Sequence, residues 1–286
     1  MTNLRALIDD AEPVVAPLVL NPLMAKMAEA AGFRALYLGG GATGYAKAVL
    51  EANLNVSEMV QAGNDIRTVS DLPLILDAAA GWGDAMHMHR TIPMVEAAGF
   101  AAIEIEDQIL PKRAHHHIGI EHMISLELMA AKVREAVAAR RGDALVIVAR
   151  TNGVRSSDID DGIRRIEAYR EAGADMLLIS PRNPEEVRYI GERVAPPLVQ
   201  IVPAGGLPAL GMTVEEMGEL GFRLLIDPVM PLLAAYRAWR DCYDSMRDGM
   251  SDSKLPPEEA RGLQQEIHQT IGLDRLIDIE KATVER

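Results

Sequence analysis

Cysteine, long apolar runs and an apolar leader are all missing or scarce in this sequence. Its single cysteine, Cys242, cannot form a disulfide within the chain, which is typical of proteins from reducing compartments. No apolar run approaches the roughly 20 residues that cross a bilayer. Asp9, Asp10 and Glu12 lie where a secretory leader would need an apolar core. We therefore expect a cytoplasmic protein without a membrane partner.

Positive charge is also in short supply. Lysine and arginine number 29 against 42 aspartates and glutamates, which gives a formal net charge of -13. Such a chain repels a phosphate backbone and no basic stripe offsets the effect, so we expect no nucleic-acid partner. A binding site has its own local charge, so a small anionic substrate is still compatible with this composition.

Aromatic residues make up only 4% of the 286 residues, whereas 49% are hydrophobic, so an aliphatic core is expected. This ordinary globular composition allows one large core. We predict a single domain over residues 1–286 with a helical extension from about residue 232. The extension comprises a helix over Leu232–Arg247, a linker over Asp248–Pro257 and a helix over Glu258–Ile271.

Four segments repeat one design, which is the end of a helix, a glycine and then a short apolar run. They are Glu29–Gly40, Glu96–Asp107, Glu171–Ser180 and Glu219–Pro228. Glycine readily takes the left-handed conformation that ends a helix. The predicted helix caps are Gly32, Gly99, Gly173 and Gly221. Each short apolar run is typical of a strand that is buried on both faces in a parallel sheet.

Four further apolar runs predict strands and bring the total to eight. They are Val14–Leu20, Pro73–Asp77, Leu145–Arg150 and Pro197–Val202. Helical segments such as Ser125–Ala139 and Ile159–Ala172 alternate with the strands, which predicts a parallel sheet closed into a (β/α)8 TIM barrel. An open doubly wound sheet is the alternative. However, the glycines of Gly39–Gly44 follow the second strand and lack the GxGxxG spacing.

Charged side chains lie at the ends of three predicted strands, where barrel enzymes have their active sites. Asp77 ends the third strand, and its carboxylate suits a metal or a substrate. Glu104 and Glu106 lie on one side of the fourth strand, so a cation or a basic side chain must offset their charges. Arg150 ends the fifth strand and needs an anionic partner, either a substrate carboxylate or one of those glutamates.

Two loops add candidate binding groups. The amides of Gly39, Gly40 and Gly41 can bind a carboxylate, although a tight turn explains these glycines equally well. A second loop combines basic and histidine side chains, which favours anion binding or a mobile lid over a transition-metal site. Its residues are Lys112, Arg113, His115, His116 and His117. A solvated surface loop is the alternative.

Four short motifs together resemble the isocitrate lyase and phosphoenolpyruvate mutase superfamily, in particular its 2-methylisocitrate lyase-like branch. They are YLGGG, LPLILDAAAGWG, IEIEDQILPKR and IVARTN, in the family's order, and the resemblance covers about Val14 to Pro231. It implies a (β/α)8 barrel, usually a homotetramer in which the eighth helix is swapped between subunits. It also implies Mg2+ or Mn2+ as cofactor and a small 2-oxo or 2-hydroxy acid as substrate.

The resemblance also assigns roles to individual residues. Asp77 matches the metal-binding aspartate, and Glu106 matches a carboxylate of the metal's outer coordination sphere. Glu51 matches another such carboxylate when one gap is allowed in the alignment. The glycine amides match those that hold the substrate carboxylate, and Arg150 matches the arginine that binds the substrate. The expected substrate-binding residues are Tyr37, Gly39, Gly40, Gly41 and Arg150.

Three positions depart from the family's pattern. Ala114 replaces the cysteine that serves lyases as a general acid, Ala79 replaces a second aspartate, and Ser180 stands where a glutamate is usual. The thinner metal shell lowers the expected metal affinity. A histidine of the His115–His117 run, or water, must deliver the proton instead, and we favour His116 because an imidazole is a suitable acid near neutral pH. The expected catalytic residues are His116, Arg150 and Lys112.

These residues predict a metal-assisted carbon–carbon lyase for a small 2-oxo or 2-hydroxy di- or tricarboxylic acid. Retro-aldol cleavage of the methylisocitrate type and decarboxylation of the oxaloacetate type share an enolate intermediate, which a cation stabilises. Two alternatives stay open. One is a phosphonate mutase or hydrolase, and the other is a non-catalytic oxo-acid binder that has lost the lyase groups.

Overall fold

A computed structural model of the protein describes residues 3–247, 249, 251–252 and 254–284. The chain divides into two compact units, of which the first ends at Met230 and the second begins at Pro231. Within the described ranges, no helix is both long enough and apolar enough to cross a membrane.

Eight parallel strands make up the sheet of the first unit. They are β1 (Val14–Pro17), β2 (Leu36–Leu38), β3 (Leu74–Asp77), β4 (Ala102–Glu106), β5 (Val146–Thr151), β6 (Met176–Ile179), β7 (Leu198–Ile201) and β8 (Phe222–Asp227). Strands β2 to β8 pair in sequence order, and β1 pairs with β8. A parallel bridge between Leu18 and Tyr37 joins the end of β1 to β2 and closes the ring. The predicted (β/α)8 barrel is therefore confirmed, with strands slightly shorter than the apolar runs that predicted them.

The helices of the first unit precede or connect its strands. They are α1 (Leu4–Ile8), α2 (Pro22–Ala30), α3 (Gly40–Ala46), α4 (Val56–Arg67), α5 (Met88–Ala97), α6 (Leu126–Ala139), α7 (Gly153–Ser156), α8 (Ile159–Glu171), α9 (Pro184–Arg193) and α10 (Val214–Glu219). Short 3-10 turns lie at Glu51–Asn53, Ala85–His87, Ala114–Ile118 and Leu207–Leu210. Side-chain oxygens at several helix starts, such as Ser125 before α6 and Asp158 before α8, accept the first free amides.

The four glycines predicted to end helices do so. Gly32, Gly99, Gly173 and Gly221 have φ angles of 91°, 75°, 102° and 87°. Residues with a side chain rarely adopt this left-handed region, because the Cβ atom meets the following carbonyl oxygen. Each glycine thus turns the chain from a helix towards the next strand, at the amino end of the barrel.

Strand side chains alternate between two apolar layers. In β5, Val146 and Val148 lie in the inner cluster, whereas Ile147 and Ala149 lie in the cluster shared with the helices. Leu4 and Ile8 of α1 belong to the inner cluster. The barrel is thus a packed core, and its chemistry is left to the carboxyl ends of the strands.

Helices also form the second unit. Helix α11 (Met230–Arg247) leads into it, and α12 (Pro257–Thr270) and α13 (Leu273–Thr283) follow. The predicted linker contains residues 248, 250 and 253, which lie outside the described residues. The sequence prediction ended at Ile271 and missed α13, although the helical spacing of Leu276 and Ile279 is one signal that could have predicted it.

Candidate active site

Asp77 lies at the carboxyl end of β3 with both carboxylate oxygens held by backbone amides. Ala79 N–H donates to Oδ1 at 3.0 Å, and Gly40 N–H donates to Oδ2 at 3.0 Å. The first bond comes from the loop after β3 and the second from the start of α3. This carboxylate therefore has a fixed orientation, which a metal or substrate ligand requires.

Glu104 and Arg150 form a buried ion pair across neighbouring strands. Arg150 Nη1 donates to Glu104 Oε1 at 2.8 Å, and the hydroxyl group of Tyr37 donates to Glu104 Oε2 at 3.1 Å. Burial raises the pKa of Glu104 to about 7, despite the opposing charge of Arg150. Burial likewise raises the pKa of Tyr37 well above its usual value. The strand-four partner expected for Arg150 is thus present.

Glu106 and Glu51 share the ammonium group of Lys112. Lys112 Nζ lies 2.5 Å from Glu106 Oε1 and also contacts Glu51 Oε2. Asn152 Nδ2 donates to Glu106 Oε2 at 2.9 Å. Burial alone would raise the pKa of Glu106, but Lys112 and Arg150 hold it well below its usual range. The two like charges of β4 are therefore offset by basic side chains, as their spacing on the strand required.

The cluster carries more acid than base. Its carboxylates are Asp77, Glu51, Glu104 and Glu106, and its cations are Lys112 and Arg150. Burial, and then the charge of Asp77, raise the pKa of Glu51 to about 8, although Lys112 opposes the shift. Glu51 Oε1 is buried and has no hydrogen-bond partner in the described part of the chain. A divalent cation would balance these charges, so the residues fit one.

The arrangement is not a ready-made coordination cage. Among the described residues, no three Asp, Glu, His or Cys side chains converge with the geometry of a metal site. Mg2+ usually keeps several waters and binds through one or two carboxylates plus the substrate. Asp77 could therefore be the direct ligand, and Glu51 and Glu106 could contact the cation through water. This arrangement agrees with the usual coordination of Mg2+ and with the outer-sphere role expected of those glutamates.

The three glycines after β2 differ in what they do. Gly39 caps α3, and Gly40 N–H is already bonded to Asp77. A Cβ atom at Gly40 would collide with the carboxylate of Glu51, whereas one at Gly41 would meet open space. Gly40 is thus needed for the close approach of Glu51, and Gly39 and Gly41 line the cavity.

The histidine loop covers one side of the cluster. His116 lies in the 3-10 turn Ala114–Ile118, and its Nδ1 atom is 2.8 Å from Glu121 Oε2, on a fully buried side chain. Gln108 Nε2 lies 2.7 Å from the same imidazole nitrogen. Tyr45 OH lies 3.0 Å from His117 Nδ1. A buried acid therefore orients the histidine that was expected to deliver the proton.

Sequence reasoning missed Glu121, Gln108 and Tyr45. Gln108 lies within the motif IEIEDQILPKR just after β4, which was an available signal, whereas Glu121 belongs to no motif and only the folded loop brings it to His116. Tyr45 lies on α3 one turn after Gly41, and its position beyond the glycines was the only available signal.

A cavity of about 190 Å³ opens at this end of the barrel. Charged and apolar groups line it together: Tyr37, Gly39, Gly41, Ala42, Tyr45, Glu51, Asp77, Lys112, His116, His117, Arg150, Ile201, Pro228 and Val229. Arg150 Nε is buried 3.5 Å from Glu106 Oε2 and has no hydrogen-bond partner among the described residues. The cavity thus brings a guanidinium group, carboxylates and an imidazole together in a volume suited to a small acid.

Three positions, at which the sequence differs from the pattern of the family that it resembles, lie around this cavity but do not line it. Ala79 is buried in the loop after β3 with a left-handed φ of 46°. Ala114 is exposed at the start of its 3-10 turn, and Ser180 is buried after β6. None of them supplies a titratable group to the cluster.

A family model for phosphoenolpyruvate phosphomutase matches residues 4–247. The chain belongs to this family. Its relatives include a 2-methylisocitrate lyase from Aeropyrum pernix, 40% identical over 82% of this chain and 76% of the relative. A 2,3-dimethylmalate lyase from Eubacterium barkeri is 31% identical over 97% of this chain and 96% of the relative. The family predicted from four short motifs is therefore confirmed.

Solved structures place the barrel in the same phosphoenolpyruvate phosphomutase fold. Phosphonopyruvate hydrolase in complex with oxalate and Mg2+ superposes with a TM-score of 0.84 and 29% identity, and the match covers 98% of each chain. That protein holds both a two-carbon diacid and a divalent cation. The likeness extends over the whole barrel rather than over an isolated motif.

Proposed function

We propose that this protein is a metal-assisted carbon–carbon lyase that cleaves a small 2-oxo or 2-hydroxy di- or tricarboxylic acid. One observation carries the proposal: Asp77, Glu51 and Arg150 line one small cavity at the barrel mouth, and Glu106 pairs with Arg150 behind it. Relatives that are at least 30% identical and named as lyases of such acids support the reaction type.

Asp77 is the residue that would hold the cation, which we expect to be Mg2+ or Mn2+, and Glu51 and Glu106 would bind its water ligands. Such an ion, when bound, would polarise a 2-oxo or 2-hydroxy carboxylate and would supply positive charge where cleavage leaves negative charge. Lys112 fixes both glutamates, because its ammonium group lies between them, and its charge lowers the pKa of Glu106. This lysine therefore organises the outer part of the cation site.

Arg150 is the group that would bind the substrate carboxylate. Its Nη1 atom is engaged with Glu104, but its buried Nε atom has no hydrogen-bond partner among the described residues. Its guanidinium group lines the cavity, where its positive charge would attract a substrate carboxylate. Gly39 and Gly41 lie on the same cavity wall.

His116 is the candidate for protonating the carbon from which the bond has broken. The carboxylate of Glu121 fixes the Nδ1 side of the ring, which leaves Nε2 as the nitrogen available for proton transfer. Ala114 offers no proton, so the thiol route of the lyases is closed in this chain.

Phosphonate chemistry is not favoured, although phosphonopyruvate hydrolase shares the fold. Fold likeness alone does not decide the reaction, whereas the sequence relatives reported above are carbon–carbon lyases. Phosphorus NMR of phosphonopyruvate incubated with the protein distinguishes the two. An unchanged spectrum is expected.

The test of the proposed function is turnover with Mg2+ on 2-methylisocitrate, 2,3-dimethylmalate and oxaloacetate. Cleavage of each yields pyruvate, which lactate dehydrogenase reports through NADH. We expect Asp77→Asn to lower metal-dependent turnover by at least about 100-fold, because a catalytic metal contributes several kcal/mol to stabilising the transition state.

Asp71→Asn is the matched control. It makes the same chemical change before the amino end of β3, on a side chain that is 86% exposed. Its turnover should equal that of the unmodified protein. If Asp77→Asn retained full metal-dependent activity on the accepted substrate, the proposed mechanism would be wrong.

A further inference from the structure

Lys132 is a buried lysine that the proposed reaction does not use. It lies in α6 with 1% of its surface exposed, and burial lowers its pKa. Its ammonium group donates to the carbonyl oxygen of Ala80 at 2.9 Å, and no carboxylate of the described residues forms an ion pair with it. Lysine is almost never fully buried unless it is paired. The hydrogen-bond partner of Lys132 is a backbone carbonyl, so its role is to be sought in the segment that contains this carbonyl.

Ala80 belongs to the Asp77 loop, which we define as residues 78–83. Four successive carbonyls of this loop each accept one hydrogen bond. Two of them accept from backbone amides: Gly81 N–H donates to the carbonyl of Ala78 at 2.7 Å, and Glu106 N–H donates to that of Ala79 at 2.8 Å. Side chains of the surrounding helices bond the other two. These are Lys132 to Ala80, and Thr91 Oγ1 of α5 to Gly81 at 3.2 Å.

The Asp77 loop has a strained backbone. Ala79 and Trp82 have left-handed φ angles of 46° and 56°, although neither is glycine. Such conformations persist only where the surrounding structure holds them in place. Lys132 holds the carbonyl between these two residues, so it opposes relaxation of the loop.

The conformation of the loop sets the orientation of Asp77. The amide of Ala79, the first strained residue, donates to Asp77 Oδ1 at 3.0 Å. The strained part of the loop is thus bonded directly to the Asp77 carboxylate, so a change in the loop's conformation would disturb one of the two bonds that fix it. Lys132 does not line the cavity, so any effect it has on the site passes through the loop.

We propose that Lys132 is a positioning residue that holds the Asp77 loop so that the Asp77 carboxylate keeps its metal-binding orientation. The inference rests on the proposed function, because it takes Asp77 as the cation ligand. Residues that support a metal ligand in this way typically change metal affinity by about 10–100-fold when they are replaced.

The experiment is a calorimetric titration with Mn2+ alone, without substrate, together with a thermal melt of each variant. Lys132→Met keeps the length and apolar stem of the side chain but removes the donor. We expect about 10–100-fold weaker Mn2+ binding than in the unmodified protein. Asp77→Asn, titrated in parallel, shows whether the heat reports on this site.

Arg140→Met is the matched control. Arg140 Nη1 also donates to a backbone carbonyl, that of Leu145 at 3.0 Å, and pairs with Asp175 at 2.5 Å, but at the amino end of the barrel. This variant should lose thermal stability and keep its Mn2+ affinity. A role of Lys132 in stability alone would make both methionine variants behave alike, and unchanged Mn2+ binding by Lys132→Met would overturn the proposal.

Two further outcomes are decisive. If the unmodified protein does not bind Mn2+, or binds it equally as Asp77→Asn, this inference fails, whereas the turnover assay with Asp77→Asn decides the proposed function separately. If Lys132→Met does not fold, Thr91→Val decides, because it frees the neighbouring carbonyl without removing a charge. Weaker Mn2+ binding by that variant supports the loop's role, and unchanged binding overturns it.

Discussion

Lys112 shows how a single side chain can be both predicted and misjudged. The sequence indicated a basic, anion-binding loop residue, whereas the structure buries its ammonium group between Glu51 and Glu106. The charges of these glutamates raise the pKa of Lys112 above its usual value although burial opposes this. Its partners are therefore carboxylates of the protein, and Arg150 is the cation with a donor to spare.

His116 gives the prediction at the scale of single residues. His116→Ala should lower kcat by about 10²–10⁴-fold, the usual contribution of a positioned acid or base, with little change in KM. Steady-state kinetics on the accepted substrate measures both constants.

His115→Ala is the control for this variant, because His115 is exposed and contacts His122 rather than the cavity. It should retain the kcat of the unmodified protein. Equal losses in both variants would instead mean that the loop needs its histidines for its conformation and that His116 is not the acid.

The glycine caps were the most informative elements of the sequence. Each capping glycine marks both the end of a helix and the approach of the next strand, so one residue predicted two elements. All four glycines have the left-handed φ expected of them. Strand ends were less well predicted. Val14–Leu20 shortens to Val14–Pro17 because an apolar run continues past the last ladder hydrogen bond.

Gly99 provides the prediction at the scale of elements. A Cβ atom there meets no heavy atom closer than 3.5 Å, so Gly99→Ala is opposed only by the backbone at φ 75°. We expect the free energy of unfolding to fall by about 1–2 kcal/mol, as measured by urea denaturation.

Gly142→Ala is the same substitution at an exposed position where the Cβ meets open space, without a left-handed φ. Its unfolding free energy should stay within about 0.5 kcal/mol of the original. If Gly99→Ala were as stable as Gly142→Ala, the cap at Gly99 would not depend on a left-handed residue.

At the scale of the whole molecule, the barrel and the family could be predicted because alternating elements and four motifs are local patterns. Asp77, Glu106 and Arg150 were found because polar residues at the ends of apolar strands are conspicuous in a sequence. Glu121 and Lys132 could not be found, since their partners lie 5 and 52 residues away and nothing but folding joins them. The homotetramer and the cytoplasmic location stay predictions.

Metal binding should also stabilise the whole molecule. The cluster's excess of negative charge is relieved by a cation, and a ligand that binds only the folded state at 100 times its Kd adds about 2.7 kcal/mol of stability. Thermal melts with increasing Mg2+ or Mn2+ should therefore show a rising Tm. Asp77→Asn should show none of this rise, and an equal rise in that variant would place the stabilising ions elsewhere.

The replacement of the lyase cysteine by Ala114 has a consequence for inhibitors and probes. The only sulfhydryl in the sequence is Cys242, which lies partly exposed in α11 and does not line the cavity. Electrophilic compounds designed to alkylate a catalytic sulfur have no target in this cavity, and peroxide has no active-site thiolate to oxidise. Conversely, a maleimide dye would attach at one defined position, because the sequence contains no second thiol.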